Sequence, residues 1–291
     1  MLHEDFDTLL PVGQPSRRQF VRAGVGVGFA AAALPLLAQE AIKTDDAGLL
    51  TGEVMIAVGD HKMPAYRAAP AERANAPVVL VVSEIFGVNE YIADVVRRFA
   101  KAGYFAIAPE LFVRQGDAQS YGEIGRLIAE VVSMVPDAQV MGDLDACVAW
   151  ARAQGADASR LAVTGFCWGG RITWLYAAHN AAIKAGVAWY GRLVGATSQF
   201  NPEHPLDVAG NLRGPVLGLY GGNDTGIPLQ DVEKMKRALA QGSAAAQRSE
   251  FVVYPDAPHA FHADYRPSYR KNEADDGWRR CLAWMLRHGA G

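Results

Sequence analysis

The sequence predicts an α/β protein with a mainly parallel central sheet and helices on both of its faces. From residue 53 to the C-terminus, short apolar segments alternate with longer amphipathic ones, which is the pattern of strands joined by crossover helices. The segment 77–83 is a continuous, mainly β-branched run, as expected for a strand covered on both faces. The 291 residues are 50% hydrophobic and 20% charged, which suits a folded core rather than a disordered chain.

The first half of the domain is predicted to contain the hairpin and the first crossovers. Strands are expected at 53–58, 63–69, 77–83 and 104–108, and helices at 89–102 and 121–154. The first helix places Ile92 and Phe99 on one face and ends before Gly103, which is a common stop residue. Pro136 interrupts the long helical segment, and Asp137 is expected to cap its second half.

The second half continues the alternation. Strands are expected at 160–164, 183–190, 215–220 and 251–254, and helices at 169–179, 229–240 and 272–288. Glu84, Cys167, Asp224 and His259 each follow a different strand. Because the carboxyl ends of parallel strands meet at one edge of a sheet, where ligands bind, these four side chains are predicted to converge. No linker divides the chain, so residues 53–291 are predicted to form a single domain.

The sharpest local motif is Gly165-Phe-Cys-Trp-Gly-Gly170, which lies between a predicted strand and a predicted helix. A Gly-x-nucleophile-x-Gly turn places its central residue on a tight elbow where Cβ atoms on either side would collide with neighbouring backbone. The nearby helix N-terminus favours thiolate over thiol. We therefore predict that Cys167 is a nucleophile, the alternative being a small buried cysteine.

The chain order of thiol, acid and base is that of the α/β-hydrolase triad. Asp224 is the predicted acid, with Asp256 and Asp231 as alternatives, and His259 is the predicted base, with His262 as the alternative. The base must contact the nucleophile while the acid fixes its orientation. The His-x-x-His spacing also suggests metal, but no third ligand lies nearby. We expect neither a metal nor a cofactor.

Five motifs together resemble the dienelactone hydrolase (carboxymethylenebutenolidase) family. The resemblance runs from about residue 53 to the C-terminus and implies the α/β-hydrolase fold. The motifs are Ser83-Glu-Ile-Phe-Gly-Val-Asn89, Gly142-Asp-Leu-Asp145, Gly165-Phe-Cys-Trp-Gly-Gly170, Asp224 and Pro258-His259.

The resemblance implies that the thiol, the acid and the imidazole form a catalytic triad. It further implies that Glu84 contacts the resting thiol and helps convert it to thiolate, and that the backbone N–H groups of Ile85 and Trp168 form an oxyanion hole. The expected activity is hydrolysis of a small carboxylic ester or lactone through a thioester. A thiol-redox protein and a non-catalytic binding protein on the same fold are the alternatives.

The sequence departs from the family at the residues that hold a substrate carboxylate. Where dienelactonases have an arginine four residues after the catalytic histidine, this chain has Ala263. Arg266, three residues further on, is the candidate substrate-binding residue. For a second substrate-binding arginine, Arg114 and Arg126 are the candidates, although neither aligns cleanly.

The two remaining cysteines are interpreted as structural. Cys281 lies on the apolar face of the last predicted helix, and Cys147 lies in the middle of an earlier one. Both are expected to pack inward. A disulfide between them is an alternative that we do not favour.

The N-terminus predicts export. Arg17-Arg18 precede an uncharged stretch over 23–38, and this pattern resembles a twin-arginine (Tat) signal. The stretch is too short for a membrane anchor. We expect residues 1–38 to be a signal read by the Tat machinery, 39–52 a flexible tail, and the mature protein to be periplasmic, off the membrane and monomeric. The net charge of -3 argues against a nucleic-acid partner.

Overall fold

The computed structural model describes residues 41–291, so the predicted signal lies outside the described residues. Eight strands form one sheet in the order β1-β2-β4-β3-β5-β6-β7-β8. β1 and β2 form an antiparallel hairpin, β2 runs antiparallel to β4, and all later pairings are parallel. The strands are β1 Leu49–Val58, β2 His61–Pro70, β3 Pro77–Val82, β4 Phe105–Pro109, β5 Asp157–Phe166, β6 Ile183–Trp189, β7 Val216–Gly221 and β8 Glu250–Tyr254.

Helices cover both faces of this sheet. They are α1 Glu90–Lys101, α2 Ile124–Glu130, α3 Asp137–Ala153, α4 Trp168–His179, α5 Pro205–Val208, α6 Leu229–Ala240, α7 Ala244–Gln247 and α8 Lys271–Arg287. Alternate residues of β3 belong to two separate cores: Val79 packs with the cluster that includes α1 and α8, and Leu80 with the one that includes α3. The α/β prediction with helices on both faces is confirmed.

Two of the differences between prediction and structure have a clear physical cause. β1 begins at Leu49 rather than at residue 53, because it pairs with β2 along its whole length from the Leu49–Pro70 pair onward; residues 49–52 are therefore part of the sheet. Pro136 occupies the cap position of α3, and Asp137 makes no capping hydrogen bond. The Asp137 carboxylate binds Arg171 instead, since a buried guanidinium is a stronger partner than a backbone N–H.

The segment between β4 and α3 lines a cavity at the carboxyl edge of the sheet. It is not one long helix before Pro136 but the short α2 followed by a 3-10 turn, Val132–Met134. Together they form one wall of the cavity at the carboxyl edge of the sheet. None of the helices between residues 41 and 291 is both long and apolar enough to cross a bilayer.

Candidate active site

Cys167 lies on the predicted elbow between β5 and α4. Its backbone has φ 55° and ψ -113°, a strained conformation for a residue other than glycine. The flanking glycines are required by close packing. A Cβ at Gly165 would collide with the carbonyl of Gly169, and one at Gly169 would collide with the carbonyls of Val82 and Ser83. The turn is thus wedged against the end of β3.

The predicted acid and base are in contact. Nδ1 of His259 lies 2.7 Å from Oδ2 of Asp224, whose side chain is fully buried. The other carboxylate oxygen of Asp224 accepts a hydrogen bond from the backbone N–H of Gly226 at 2.9 Å. The carboxylate is therefore held in one orientation, and the imidazole with it.

The alternatives to this acid and base lie elsewhere. Asp256 is exposed. Asp231 pairs with Lys234 at 2.7 Å. Nδ1 of His262 lies 2.7 Å from the hydroxyl oxygen of Tyr91, in a buried cluster. Of the candidate acids and candidate bases, only Asp224 and His259 are therefore in contact with each other.

The electrostatics of His259 favour a charged imidazole. Burial disfavours the charge, but the neighbouring Asp224 carboxylate and the Cys167 sulfur outweigh it and raise the pKa of His259 well above its ordinary value. Cys167 and His259 also line the same cavity.

Glu84 is buried next to the elbow and is bound to neighbours other than the thiol. Its Oε2 accepts a hydrogen bond from the Tyr265 hydroxyl at 2.8 Å and lies 3.6 Å from Nη2 of Arg266. Its Oε1 has no hydrogen-bond partner among residues 41–291. The Arg266 guanidinium also lies 5.0 Å from the ring centres of both Phe86 and Tyr265.

A cavity of about 700 Å³ opens beside the elbow. Its lining includes Cys167, His259, Ile85 and Trp168. One wall is apolar and comes from α2 and the turn after it. The lining also includes four polar side chains, which are Arg171, Arg192, Asn201 and His204. The site can therefore hold a sizeable molecule with a reactive group against the thiol.

The arginines predicted to bind substrate do not contribute to this cavity. Arg266 is absent from its lining because Glu84 and two aromatic rings enclose the guanidinium. Arg114 binds the buried Asp143, and Arg126 binds Glu130 on the surface at 2.9 Å. All three side chains are held by a carboxylate within the protein. The structure therefore does not bring Arg266, the predicted substrate-binding residue, to the lining of the cavity that holds the thiol.

The lining residues that the sequence analysis did not identify include two from the end of β6. Tyr190 has φ 39° and is fully buried, and its ring lies edge-on to that of His259 with centres 5.1 Å apart. Arg192 follows two residues later. Both come from the carboxyl end of β6, a strand whose position was predicted. Because ligands bind at the carboxyl ends of parallel strands, the residues that follow β6 could have been included among the candidates.

The other titratable groups fit structural roles. Cys147 and Cys281 are free and buried, and burial raises the pKa of both thiols, so neither resembles a reactive cysteine. The disulfide alternative is not formed. Within residues 41–291, no group of three or more histidine, cysteine or acidic side chains could hold a metal ion.

Comparison with known proteins assigns the chain to a family. The profile of the "Dienelactone hydrolase family" matches residues 63–289. The chain belongs to this family. It is accordingly a hydrolase of carboxylic esters with the α/β-hydrolase fold, as the motifs predicted.

Relatives of the family match nearly the whole chain. A Methylorubrum extorquens protein named "Putative carboxymethylenebutenolidase" is 58% identical over 275 residues, covering 94% of each chain. An Escherichia coli protein of the same name is 51% identical, covering 90% of this chain and 96% of its own. The crystal structure of a Klebsiella pneumoniae protein named "Putative Dienelactone Hydrolase" matches with a TM-score of 0.80 at 55% identity, over 82% of this chain and 99% of that one.

Proposed function

We propose that this dienelactone hydrolase family member cleaves a small carboxylic ester or lactone by Cys-His-Asp nucleophilic catalysis. The observation that carries the proposal is the 2.7 Å contact between His259 Nδ1 and Asp224 Oδ2, in a cavity that Cys167 and His259 line together. The three groups come from the ends of three different strands. Structural packing alone does not require that arrangement.

The chemical steps follow from the geometry. The Cys167 thiolate attacks the substrate carbonyl, and the carbonyl oxygen becomes an oxyanion. As this intermediate collapses, His259 gives its proton to the leaving alkoxide oxygen and a thioester remains on the sulfur. His259 then takes a proton from water, which attacks the thioester. The acid product leaves, and the proton stays on the imidazole beside the regenerated thiolate.

Two backbone N–H groups are the proposed donors to the oxyanion. Ile85 follows β3 and Trp168 is the first residue of α4, and both line the cavity beside Cys167. Neither N–H donates a hydrogen bond to another residue within 41–291. Removing one such donor in a protease costs about 3–4 kcal/mol. We assign the oxyanion hole to these two groups.

Glu84 is proposed as the carboxylate that helps convert the thiol to thiolate. Its Oε1 is buried without a hydrogen bond from any described residue, and its other oxygen is held by Tyr265. Burying a carboxylate oxygen without a hydrogen bond costs free energy. This oxygen is therefore the proposed acceptor of the Cys167 thiol proton when substrate binds. This role remains a proposal by family resemblance.

The test is turnover of short aryl esters together with trapping of the acyl-enzyme. We expect Cys167→Ala and His259→Ala each to reduce kcat/KM by about 10³-fold or more. Iodoacetamide should block the wild type, with the label mapped to Cys167 by peptide mass spectrometry. Cys147→Ala, which removes a buried thiol outside the cavity, should keep turnover. Full activity in Cys167→Ala would reject the mechanism.

Export is a separate proposal. We propose that residues 1–38 direct the folded chain through the Tat machinery and that the mature protein is a periplasmic monomer. Arg17-Arg18 before the uncharged 23–38 stretch support this. Replacing both arginines with lysine should leave the protein in the cytoplasmic fraction. The oligomeric state is tested by size-exclusion chromatography with light scattering. A molar mass twice that of one mature chain would reject the monomer.

A further inference from the structure

The segment that carries the candidate base contains a strained residue. We call residues 259–266 the base loop. It begins at His259, and the next residue, Ala260, has φ 58° and is buried. A left-handed backbone is uncommon for alanine and persists only where the surrounding structure enforces it. Contacts between the base loop and the rest of the protein must therefore hold this conformation.

Two side chains of the base loop bind α1. The hydroxyl oxygen of Tyr91 lies 2.7 Å from Nδ1 of His262, and Nη2 of Arg98 donates a hydrogen bond to Oδ2 of Asp264 at 2.5 Å. Tyr91 and Arg98 are seven residues apart on the helix. That separation is about two turns, so both contacts fall on one face of α1. The base loop therefore lies along this face.

The contact at Asp264 belongs to a buried ion network. Asp94 and Asp264 are 1% and 2% exposed. Arg98 binds both carboxylates, since its Nε donates a hydrogen bond to Oδ2 of Asp94 at 2.5 Å. The backbone N–H of Thr44 donates to the other oxygen of Asp94, and Nε of Arg97 donates to the carbonyl of Thr44 at 2.9 Å. The backbone before β1 therefore completes the network.

The network connects segments that follow two distant strands. α1 begins at Glu90, five residues after Ile85, which itself follows β3. The base loop follows β8, which is separated from β3 in the sheet by β5, β6 and β7. The pair of Arg98 and Asp264 therefore links the helix that follows a proposed oxyanion donor to the loop that carries the proposed base. Losing either partner would leave a buried charge unpaired, so the two segments must keep one relative position.

We propose that Asp264 is a positioning residue that holds His259 in the orientation required for its contact with Asp224. Asp264 is not one of the described residues that line the cavity, so it acts through the base loop and not on the substrate. The inference rests on the proposed function, in which His259 is the base. Without the Asp264 charge, the loop loses one of its two anchors on α1. Ala260 can then relax from its strained conformation and turn the imidazole away from Asp224.

The kinetic test separates binding from chemistry. Asp264→Asn should lower kcat for a short aryl ester by about 10–100-fold through misplacement of the base, with KM nearly unchanged because the residue lies outside the cavity. Asp264→Glu keeps the charge and should recover part of kcat. Asp143→Asn is the matched control, since it removes a buried carboxylate that binds Arg114 elsewhere. It should lose stability but keep kcat.

A second variant guards against misfolding of the first. Arg98→Lys keeps the positive charge, but an ammonium group lacks the planar fork with which a guanidinium binds two carboxylates at once. It should lower kcat in the same direction as Asp264→Asn. If Asp264→Asn does not fold, Arg98→Lys decides the test.

Proton NMR separates this inference from the proposed mechanism. The proton between His259 Nδ1 and Asp224 should give a far-downfield resonance, assigned by its loss in His259→Gln. This resonance should broaden or move upfield in Asp264→Asn and Arg98→Lys and stay in place in Asp143→Asn. An unchanged resonance and kcat in the first two variants, or equal losses in Asp143→Asn, would overturn the inference. If the wild type hydrolyses no ester while the resonance still depends on Asp264, the mechanism fails and the positioning role stands.

Discussion

The hydroxyl oxygen of Tyr91 lies 2.7 Å from Nδ1 of His262, and both side chains are buried beside the candidate active site. The His262 ring packs on Trp189, with centres 4.5 Å apart. Burial, with a smaller contribution from the positive charge of Arg98, lowers the pKa of His262 well below its ordinary value. The imidazole is therefore neutral in the folded protein and carries one proton on its ring nitrogens.

This neutral imidazole predicts an acid-sensitive contribution to stability. The contribution of His262 is fully present above about pH 6.5. Below that pH, the unfolded chain binds a proton that the folded chain does not, so the free energy of unfolding falls by about 1.4 kcal/mol for each pH unit. His262→Gln should therefore be destabilised at pH 8, with a gap from wild type that narrows toward pH 5.

Urea unfolding at four pH values between 5 and 8 measures this gap. His179→Gln, which removes a partly exposed imidazole on α4, controls for the loss of a histidine as such. A gap for His262→Gln that stays constant with pH would show that the side chain contributes through packing alone.

Asp224→Asn should move the basic limb of the pH profile. Burial acts to lower the pKa of His259, and the Asp224 charge is the largest of the influences that raise it. Without that charge the pKa falls, so the imidazolium loses its proton at lower pH. The basic limb of kcat/KM should shift to lower pH, and kcat should drop by about 10³–10⁴-fold. A basic limb that stays in place would contradict the pairing of these two residues.

Gly169→Ala should disrupt the elbow between β5 and α4. A Cβ there would lie 2.6 Å from the carbonyl oxygen of Ser83 and closer still to that of Val82, and backbone at the end of a central strand has little room to yield. We expect a loss of about 1–3 kcal/mol in the free energy of unfolding. Gly142→Ala is the matched control, since its Cβ would meet open space within α3. It should stabilise by about 1 kcal/mol; similar losses in both variants would argue against the steric account.

Asp137→Ala should cost more stability than the loss of a surface pair. Both oxygens of Asp137 accept hydrogen bonds from the buried Arg171. Removing the carboxylate leaves a buried charge without its partner, which costs about 3–5 kcal/mol. Glu130→Gln breaks the exposed pair with Arg126 and should change the free energy of unfolding by less than about 1 kcal/mol. Chemical denaturation of both variants gives the comparison, and equal effects would refute it.

Local patterns allowed much of the fold to be predicted. The β-branched run that becomes β3 and the apolar spacing of α1 reflect burial that repeats along the chain. The predicted ends of the strands were less accurate, because the length of a strand depends on the neighbouring strand with which it pairs. β1 extends back to Leu49 only because β2 continues to Pro70. Asp137 was expected to cap the backbone N–H groups at the start of α3, yet its carboxylate binds Arg171, 34 residues away in the sequence.

Patterns within short segments predicted the order of the main elements, the elbow at Cys167 and the four strand ends that supply Glu84, Cys167, Asp224 and His259. Steric demands at a tight turn and the periodicity of buried residues are properties of short segments, so they can be read along the chain. No local pattern predicted that Arg266 would lie against Glu84 or that Arg192 would line the cavity. Charge pairing depends on distances between segments that only folding brings together.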